Sequence, residues 1–469
     1  MCRRSSEGGS KRRIWWTDLY HRRKHRVTNT RVAIVALLAV AALASAQTAS
    51  VLTIDDAVAL ALKANREVQS AALDVFRARE ESAALKTTRL PQFQIYVLTG
   101  ELLRQVSFTV PQGSLGSFAA TGPIPAQNQT VTQPRQFAGF VLGQVMQPVS
   151  QLWKIHLALI SSQTREELAK QKLRQKRQDT AQSVRELYYE LVQTQTQIES
   201  TEANVKTLLA LQPEIDQKLV ELAVLKSDSL AVRAQLSRQR YQLVKLRDAS
   251  RTQKESFNRL LGRDLKIEFS VEVEPLPAVE EIDLAAAQSL ALRQRPEIQE
   301  TRLQTKEAET EVRRQHAEYI PDISAGFTYA SFPNVSFLPQ NFMSTGFLVQ
   351  WEPFDWGRKR HKTNSLRAAT KQSMLAERDT EQQILLDVNK KFRALAEARM
   401  LLDTTALTQQ EAREKLRETM SRYTEKAVLL SEALQQQGAM VQADSEYESA
   451  LAAFWKAKAD FDRALGREY

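Results

Sequence analysis

Phe257-Asn-Arg-Leu-Leu-Gly-Arg263 returns as Phe461-Asp-Arg-Ala-Leu-Gly-Arg467, 204 residues later. At the same offset Val224-Leu-Lys-Ser-Asp-Ser-Leu230 matches Val428-Leu-Leu-Ser-Glu-Ala-Leu434. Nearer the start of each copy, Leu62, Glu67, Val68, Ala78, Glu81 and Pro91 match Leu292, Glu297, Ile298, Ala308, Glu311 and Pro321 at a constant 230. Identities held at fixed offsets mark an internal repeat. The chain therefore reads as a first repeat over 47–263, a linker over 264–283 around Pro275–Pro277, and a second repeat over 284–469.

The offset changes between Pro91 and Pro148 in one copy and between Pro321 and Pro353 in the other, so copy one carries about 25 extra residues there. That insertion, Gly100 to Pro134, is rich in Ser, Thr, Gln, Gly and Pro and predicts a long loop. On either side the periodicity is two. Ile323, Ala325, Phe327 and Tyr329 alternate with Ser324, Gly326, Thr328 and Ala330, and Phe347, Val349 and Trp351 alternate with Leu348 and Gln350. Copy one has weaker versions in Phe93, Ile95 and Val97, then Phe140 and Leu142. Each copy thus offers one β-hairpin, about 91–148 and about 321–353. Alternating strands of about ten residues are what a transmembrane β-barrel wall needs, apolar toward lipid and polar toward water.

The rest reads as helix. From about Ser150 to Leu222, Val184, Leu187, Leu191, Ile198, Val205 and Leu208 recur at three-to-four spacing in a polar background. Val388, Phe392, Leu395, Leu402, Leu416 and Tyr423 do the same in copy two. Seams this narrow mark coiled-coil packing, and some 70 helical residues reach roughly 100 Å. Shorter helical segments, about Glu67–Arg89 and Asp228–Leu261, sum to nearly the same length and predict a stack along the long helix. Four strands cannot close a barrel, since about eight is the minimum. A homo-oligomer follows.

The N-terminus carries Lys11 to Arg31, a basic stretch, then an apolar run from Val32 to Leu43 and Ala44-Ser45-Ala46. These features predict a secretory signal peptide over 1–46; the apolar run is too short to span a bilayer as a helix. The segment holds ten Lys and Arg against Glu7 and Asp18, +8 of the formal +10, so the mature chain is near +2. The basicity that would suggest nucleic acid thus sits in the part to be removed, and no nucleic-acid partner is expected. Cys2 is the only cysteine, which leaves the mature chain without disulfides, thiolate metal sites or a cysteine nucleophile. His156, His316 and His361 lack metal-ligand spacing. No metal or cofactor is expected.

Over nearly the whole mature chain the sequence resembles the TolC-like outer-membrane factor family. The resemblance is carried by the duplication, the helix start Leu52-Thr-Ile-Asp-Asp-Ala-Val-Ala-Leu-Ala-Leu62 and the step Arg295-Pro-Glu-Ile298. The junction Trp351-Glu-Pro-Phe-Asp-Trp-Gly-Arg358 and the paired Val-Leu-x-Ser-acid-x-Leu tips complete it. It implies a mainly α fold with a small β part. The tandem-duplicated long coiled-coil helices form a periplasmic α-barrel, and three chains give four strands each to one 12-stranded transmembrane β-barrel. It further implies a homotrimeric exit duct in the outer membrane of a Gram-negative cell, in contact with outer-membrane lipid and extending into the periplasm. Such a duct serves tripartite efflux or type I secretion, recruited by a periplasmic adaptor (membrane fusion) protein and an inner-membrane pump.

By the same resemblance the tips Leu222–Leu230 and Lys426–Leu434 are periplasmic reversals, where Ser227, Asp228 and Tyr423 stand at latch positions and Glu432 stands where an acidic ring lines the constriction. A carboxylate ring in a narrow pore favours cations. Three departures bear on these tips: Val428 stands where a basic partner for Asp228 is expected, Leu222 and Lys426 replace the glycine before each turn, and Pro213 has no counterpart in copy two. The last predicts a kink or an earlier reversal, and Ser227 and Asp228 could equally cap the helix that follows them. The competing reading is a periplasmic coiled-coil adaptor or scaffold without a pore. No nucleophile elbow, metal-ligand cluster or phosphate-cradling loop supports an enzyme.

Overall fold

The computed structural model describes residues 50–467 apart from 223, 273–282, 336–337 and 426. The expected signal peptide over 1–46 and the linker's centre at Pro275–Pro277 lie outside the described residues. In chain order the helices are α1 (Ile54–Ala64), α2 (Arg66–Thr87), α3 (Gln151–Val220), α4 (Lys226–Leu260), α5 (Leu284–Gln294), α6 (Pro296–Ala317), α7 (Arg358–Thr424) and α8 (Leu430–Ala464). The longer strands are β2 (Gln92–Glu101), β7 (Phe137–Pro148), β9 (Asp322–Ser331) and β10 (Asn341–Gln350). Short β1 (Ser50–Leu52) and β8 (Phe269–Val271) pair in parallel. The order short helix, helix, strand, strand, long helix, shorter helix runs twice. The protein is mainly α with a small β part.

With 70 residues α3 is about 105 Å long, and α7 with 67 is about 100 Å. No described helix is long and apolar enough to cross a membrane. Helix α3 is flanked along its length by α2 and α4 on one side and by α6 and α8 on the other, and α7 lies beyond α6 and α8. The helices thus form a wall with two uncovered edges, α2 and α4 at one and α7 at the other. Pro213 is inside α3, which continues to Val220, so the reversal does not start early.

Above the helices the four longer strands form one antiparallel sheet in the order β10-β9-β7-β2. The hairpins of the two copies are joined by β7 against β9, from Val141 opposite Ser331 to Pro148 opposite Ser324. Register gives the sheet two different faces. Phe93, Val145 and Phe327 lie side by side, as do Val97 and Val141, and Ala325 and Phe347. One step along, Gln94, Gln144, Thr328 and Ser344 make a polar row across all four strands on the opposite face. Phe140 and Leu142 depart from the expected alternation: they pair with Leu98 and Tyr96 and share the polar row's face. The reason is glycine: Gly139 and Gly143 occupy the other parity of β7 and leave it Phe137, Val141 and Val145 as apolar residues.

The insertion expected as a plain loop instead carries two small hairpins, β3 (Val106–Val110) with β6 (Gln129–Gln133) and β4 (Ser117–Phe118) with β5 (Gly122–Pro123). Val106, Phe108 and Val110 alternate with Ser107 and Thr109, a β-favouring pattern too short to stand out in Ser/Thr/Gln-rich sequence. Gln133 Nε2 donates to Asn334 O at 2.6 Å and Asn334 Nδ2 to Phe137 O at 3.0 Å, which ties the insertion to the turn of the other hairpin.

The main core lies midway along the helices. Ala57, Val58 and Ala61 of α1 pack on Val184, Tyr188 and Leu191 of α3, with Phe257, Leu261 and Phe269 closing the cluster. Tyr189 of α3 stacks on Trp455 of α8, ring centroids 5.4 Å apart at 13°. A second cluster around Ile298, Val388 and Phe461 does the same service for copy two.

Candidate functional site at the helix tips

Both long helices reverse at the end farthest from the sheet. After α3 the chain passes Glu221 and reaches Leu222, whose φ of 55° puts a leucine in the left-handed region. Leu222 thereby does the work of the missing glycine, at a cost of about 1–2 kcal/mol for a side chain there. Lys426, at the matching place in copy two, lies outside the described residues. The chain then extends at Leu225 (φ −80°, ψ 151°) and Leu429 (φ −80°, ψ 155°), so the two tips enter α4 and α8 with the same backbone.

Asp228 is the cap. Its Oδ2 accepts from Leu225 N at 3.1 Å while its own N–H donates to Leu225 O at 3.0 Å, closing the first turn of α4. With Val428 at the position where a basic partner is expected, the carboxylate is engaged by the backbone N–H of Leu225. Ser227 is exposed on the first turn of α4, and Glu432 is exposed at the matching first turn of α8. Tyr423 is half-buried near the end of α7, packed against Ile215, Val232 and Leu430. That small cluster draws residues from all four helices, so the two hairpins meet at the tips. Lys218 Nζ sits 5.4 Å from the Tyr423 ring centroid and 2.6 Å from Glu214, whose hydrogen bond raises the lysine pKa. Among the described residues of one chain, Ser227, Asp228, Tyr423 and Glu432 show no bond to one another.

The polar group the structure adds is Asp216, Ser229 and Arg233. Buried Ser229 donates from Oγ to Asp216 Oδ1 at 2.8 Å, and Arg233 Nη2 donates to the same oxygen at 3.1 Å. The Ser229 bond, then Arg233, hold the Asp216 carboxyl below its usual range. At the repeat offset these residues become Met420, Ala433 and Gln437, so this charged cross-link near the tip belongs to the first hairpin and has no counterpart at the matching positions of the second. That asymmetry was readable as a break in the repeat. Around it Val220, Leu222, Leu225 and Leu429 are exposed.

Against known proteins, residues 287–467 match the family model described as outer membrane efflux protein. No curated protein matches the chain. Among solved structures, the outer membrane channel CmeC of Campylobacter jejuni is similar at 14% identity and a TM-score of 0.73, covering 88% of this chain and 85% of that one. The outer membrane protein VceC of Vibrio cholerae gives 14% and 0.70, with 88% and 96% covered. The Neisseria gonorrhoeae MtrE outer membrane channel, in its open state, gives 14% and 0.68, with 88% of each chain covered. At such identities the likeness shows the fold. The resemblance to the TolC-like outer-membrane factors is thereby upheld, by sequence in the second half and by fold over nearly the whole described chain.

Proposed function

We propose that the chain is one subunit of a homotrimeric outer-membrane exit duct, passive rather than enzymatic, that passes small molecules or polypeptide outward from the periplasm. The observation that carries this reading is the two-faced sheet with free edges at β10 and β2. A row of Phe93, Val145 and Phe327 suits lipid, and a row of Gln94, Gln144, Thr328 and Ser344 suits a water-filled lumen. Unpaired edges of ten-residue strands are a liability in any isolated chain. They close without conflict if β10 of one subunit meets β2 of the next, because β10 runs toward the helices and β2 away from them, which keeps the sheet antiparallel. The uncovered helix edges lie on the same two sides. One rotation therefore completes both layers.

In this reading residues 1–46 direct export, and the tandem repeats 47–263 and 284–469 supply alternate segments of the wall. A periplasmic adaptor and an inner-membrane pump engage the helical end, for efflux or for type I secretion. Ser227, Asp228 and Tyr423 border the closed tip, and Glu432 faces the axis. The two-faced sheet weighs against the poreless scaffold, which has no use for a lipid-compatible surface. The test is mass determination in detergent followed by planar-bilayer recording. A detergent-stable trimer that conducts ions is expected; a monomer soluble without detergent would end the duct reading.

A further inference from the structure

The turn between β10 and α7 holds its aromatic residues outward. Trp356 is 99% exposed and Phe354 86% exposed. Trp356 also has a φ of 54°, a left-handed backbone that L side chains avoid. The turn is nonetheless tightly fixed. Asp355 accepts from Gly357 N at 3.1 Å and Lys359 N at 2.8 Å, and buried Lys359 donates from Nζ to Glu352 O at 2.8 Å. Backbone strain maintained so firmly at an exposed aromatic points to a use for that aromatic.

Position and charge say what the use is. The turn lies at the helix-side end of the sheet, level with the other strand–helix junctions, where Val149 and Trp153 after β7 and Tyr319 and Ile320 before β9 are exposed as well. Directly after Trp356 the sequence runs Gly357-Arg-Lys-Arg-His-Lys362, and Arg358 and Lys362, four apart on α7, share a face. An open cavity of about 450 Å³ beside the turn is lined by Trp351, Arg314, Arg358 and Lys359, together with Glu318 and Glu352. Arg358 is paired with Glu352, Lys154 of the same lining with Glu318 and Asp322, and Arg314 with Glu311, so the cavity offers both signs of charge within one small volume, as ion pairs that a zwitterionic headgroup can join. Amphipathic rings beside clustered cations are the composition of a membrane–water interface.

We infer that the β10–α7 turn is a phospholipid site, in which Trp356 and Phe354 enter the headgroup–acyl boundary of the leaflet nearer the helices and Arg314, Arg358 and Lys359 hold the phosphate of a zwitterionic headgroup whose ammonium meets Glu318 and Glu352. The inference rests on the barrel reading above. It assigns a specific lipid to one junction, and it gives the exposed, strained Trp356 an apolar environment that its own chain does not supply.

The test is fluorescence of the full protein reconstituted in phosphatidylethanolamine vesicles with acyl chains brominated near the headgroup. Wild type should lose a quenched component that Trp356→Phe lacks. Phe347→Trp, placed on the apolar face of the sheet, separates the two ideas: if that probe is not quenched, the barrel reading itself fails. If it is quenched while wild type and Trp356→Phe lose the same fraction of emission, only the lipid site is overturned, and a neighbouring subunit covers Trp356. The charge arm is native mass spectrometry of the double variant Arg314→Gln/Arg358→Gln, expected to retain phosphatidylethanolamine about threefold less than wild type. Equal retention by the variant, or stronger retention by wild type of phosphatidylglycerol, would overturn the zwitterionic assignment.

Discussion

A Cβ added to Gly262 would lie 2.2 Å from the carbonyl oxygen of Ala64, the last residue of α1. Gly262 has a φ of 73° and ends α4, so the repeat's Leu-Gly-Arg signature is a helix stop that also admits a second helix end to van der Waals contact. Gly466 does the same in copy two against Gln294 and Arg295, with a nearest approach of 2.9 Å. Gly262→Ala therefore meets both a backbone penalty of about 1–2 kcal/mol and an overlap with main chain that cannot turn aside. Thermal unfolding should show Gly262→Ala destabilised by roughly 3 kcal/mol or failing to assemble, with Gly466→Ala milder. Wild-type melting of Gly262→Ala would mean the α1–α4 contact is loose.

Glu300 on α6 carries a clear pH signal. Burial pushes its pKa up to about 7, Lys172 opposes the shift, and Glu297 and Asp179 add to it. Its Oε1 is buried without a hydrogen-bond partner among the described residues. The folded-state pKa lies above the ordinary value of 4.5, so the folded protein binds the proton more tightly. The group costs nothing below about pH 4.5 and costs progressively more up to about pH 7. Glu300→Gln should stabilise the protein at pH 8 by about 1 kcal/mol once partial exposure is allowed for, with the gap shrinking toward pH 5. Chemical denaturation at the two pH values checks this, and a constant gap would show that the carboxyl is not buried as charged.

Much of this architecture was written in spacing. Strands β2, β7, β9 and β10 occupy segments with alternating residues, and the long helices α3 and α7 occupy segments with apolar residues at three-to-four spacing. What stayed hidden was pairing. That β7 joins β9, and that Gln94, Gln144, Thr328 and Ser344 align, depends on contacts across hundreds of residues that no local pattern encodes. The Asp216–Ser229–Arg233 group was hidden for a related reason: on a charge-rich helix a polar residue usually reads as solvated face. Only the substitution of all three in the second copy marks them, as Met420, Ala433 and Gln437.

Leu222 offers a local test of the tip. It is 90% exposed, so replacing it forfeits little burial, and its left-handed backbone is one that glycine adopts freely. Leu222→Gly should leave stability unchanged or raise it by about 0.5–1 kcal/mol, the relief of backbone strain less the added freedom of the unfolded chain. Leu222→Val, branched at Cβ, should be worse than wild type by about 1 kcal/mol. Equal melting of all three would mean that the reversal relaxes out of the left-handed region.

Glu432 and Asp228 occupy matching positions in the two tips and differ in what their carboxylates do. Asp228 accepts from Leu225 N and so is part of the helix start, whereas Glu432 is exposed with its longer side chain. If three copies of Glu432 ring the axis of the proposed duct, their charges act together in a narrow, poorly screened space and favour cations. Glu432→Gln keeps the size and removes the charge; it should move the reversal potential in a salt gradient toward zero. Asp228→Asn should move it less while lowering stability by about 1 kcal/mol through the weakened cap. Unchanged selectivity in Glu432→Gln, with conductance intact, would place that carboxylate off the axis and leave the constriction to the exposed leucines of the tip.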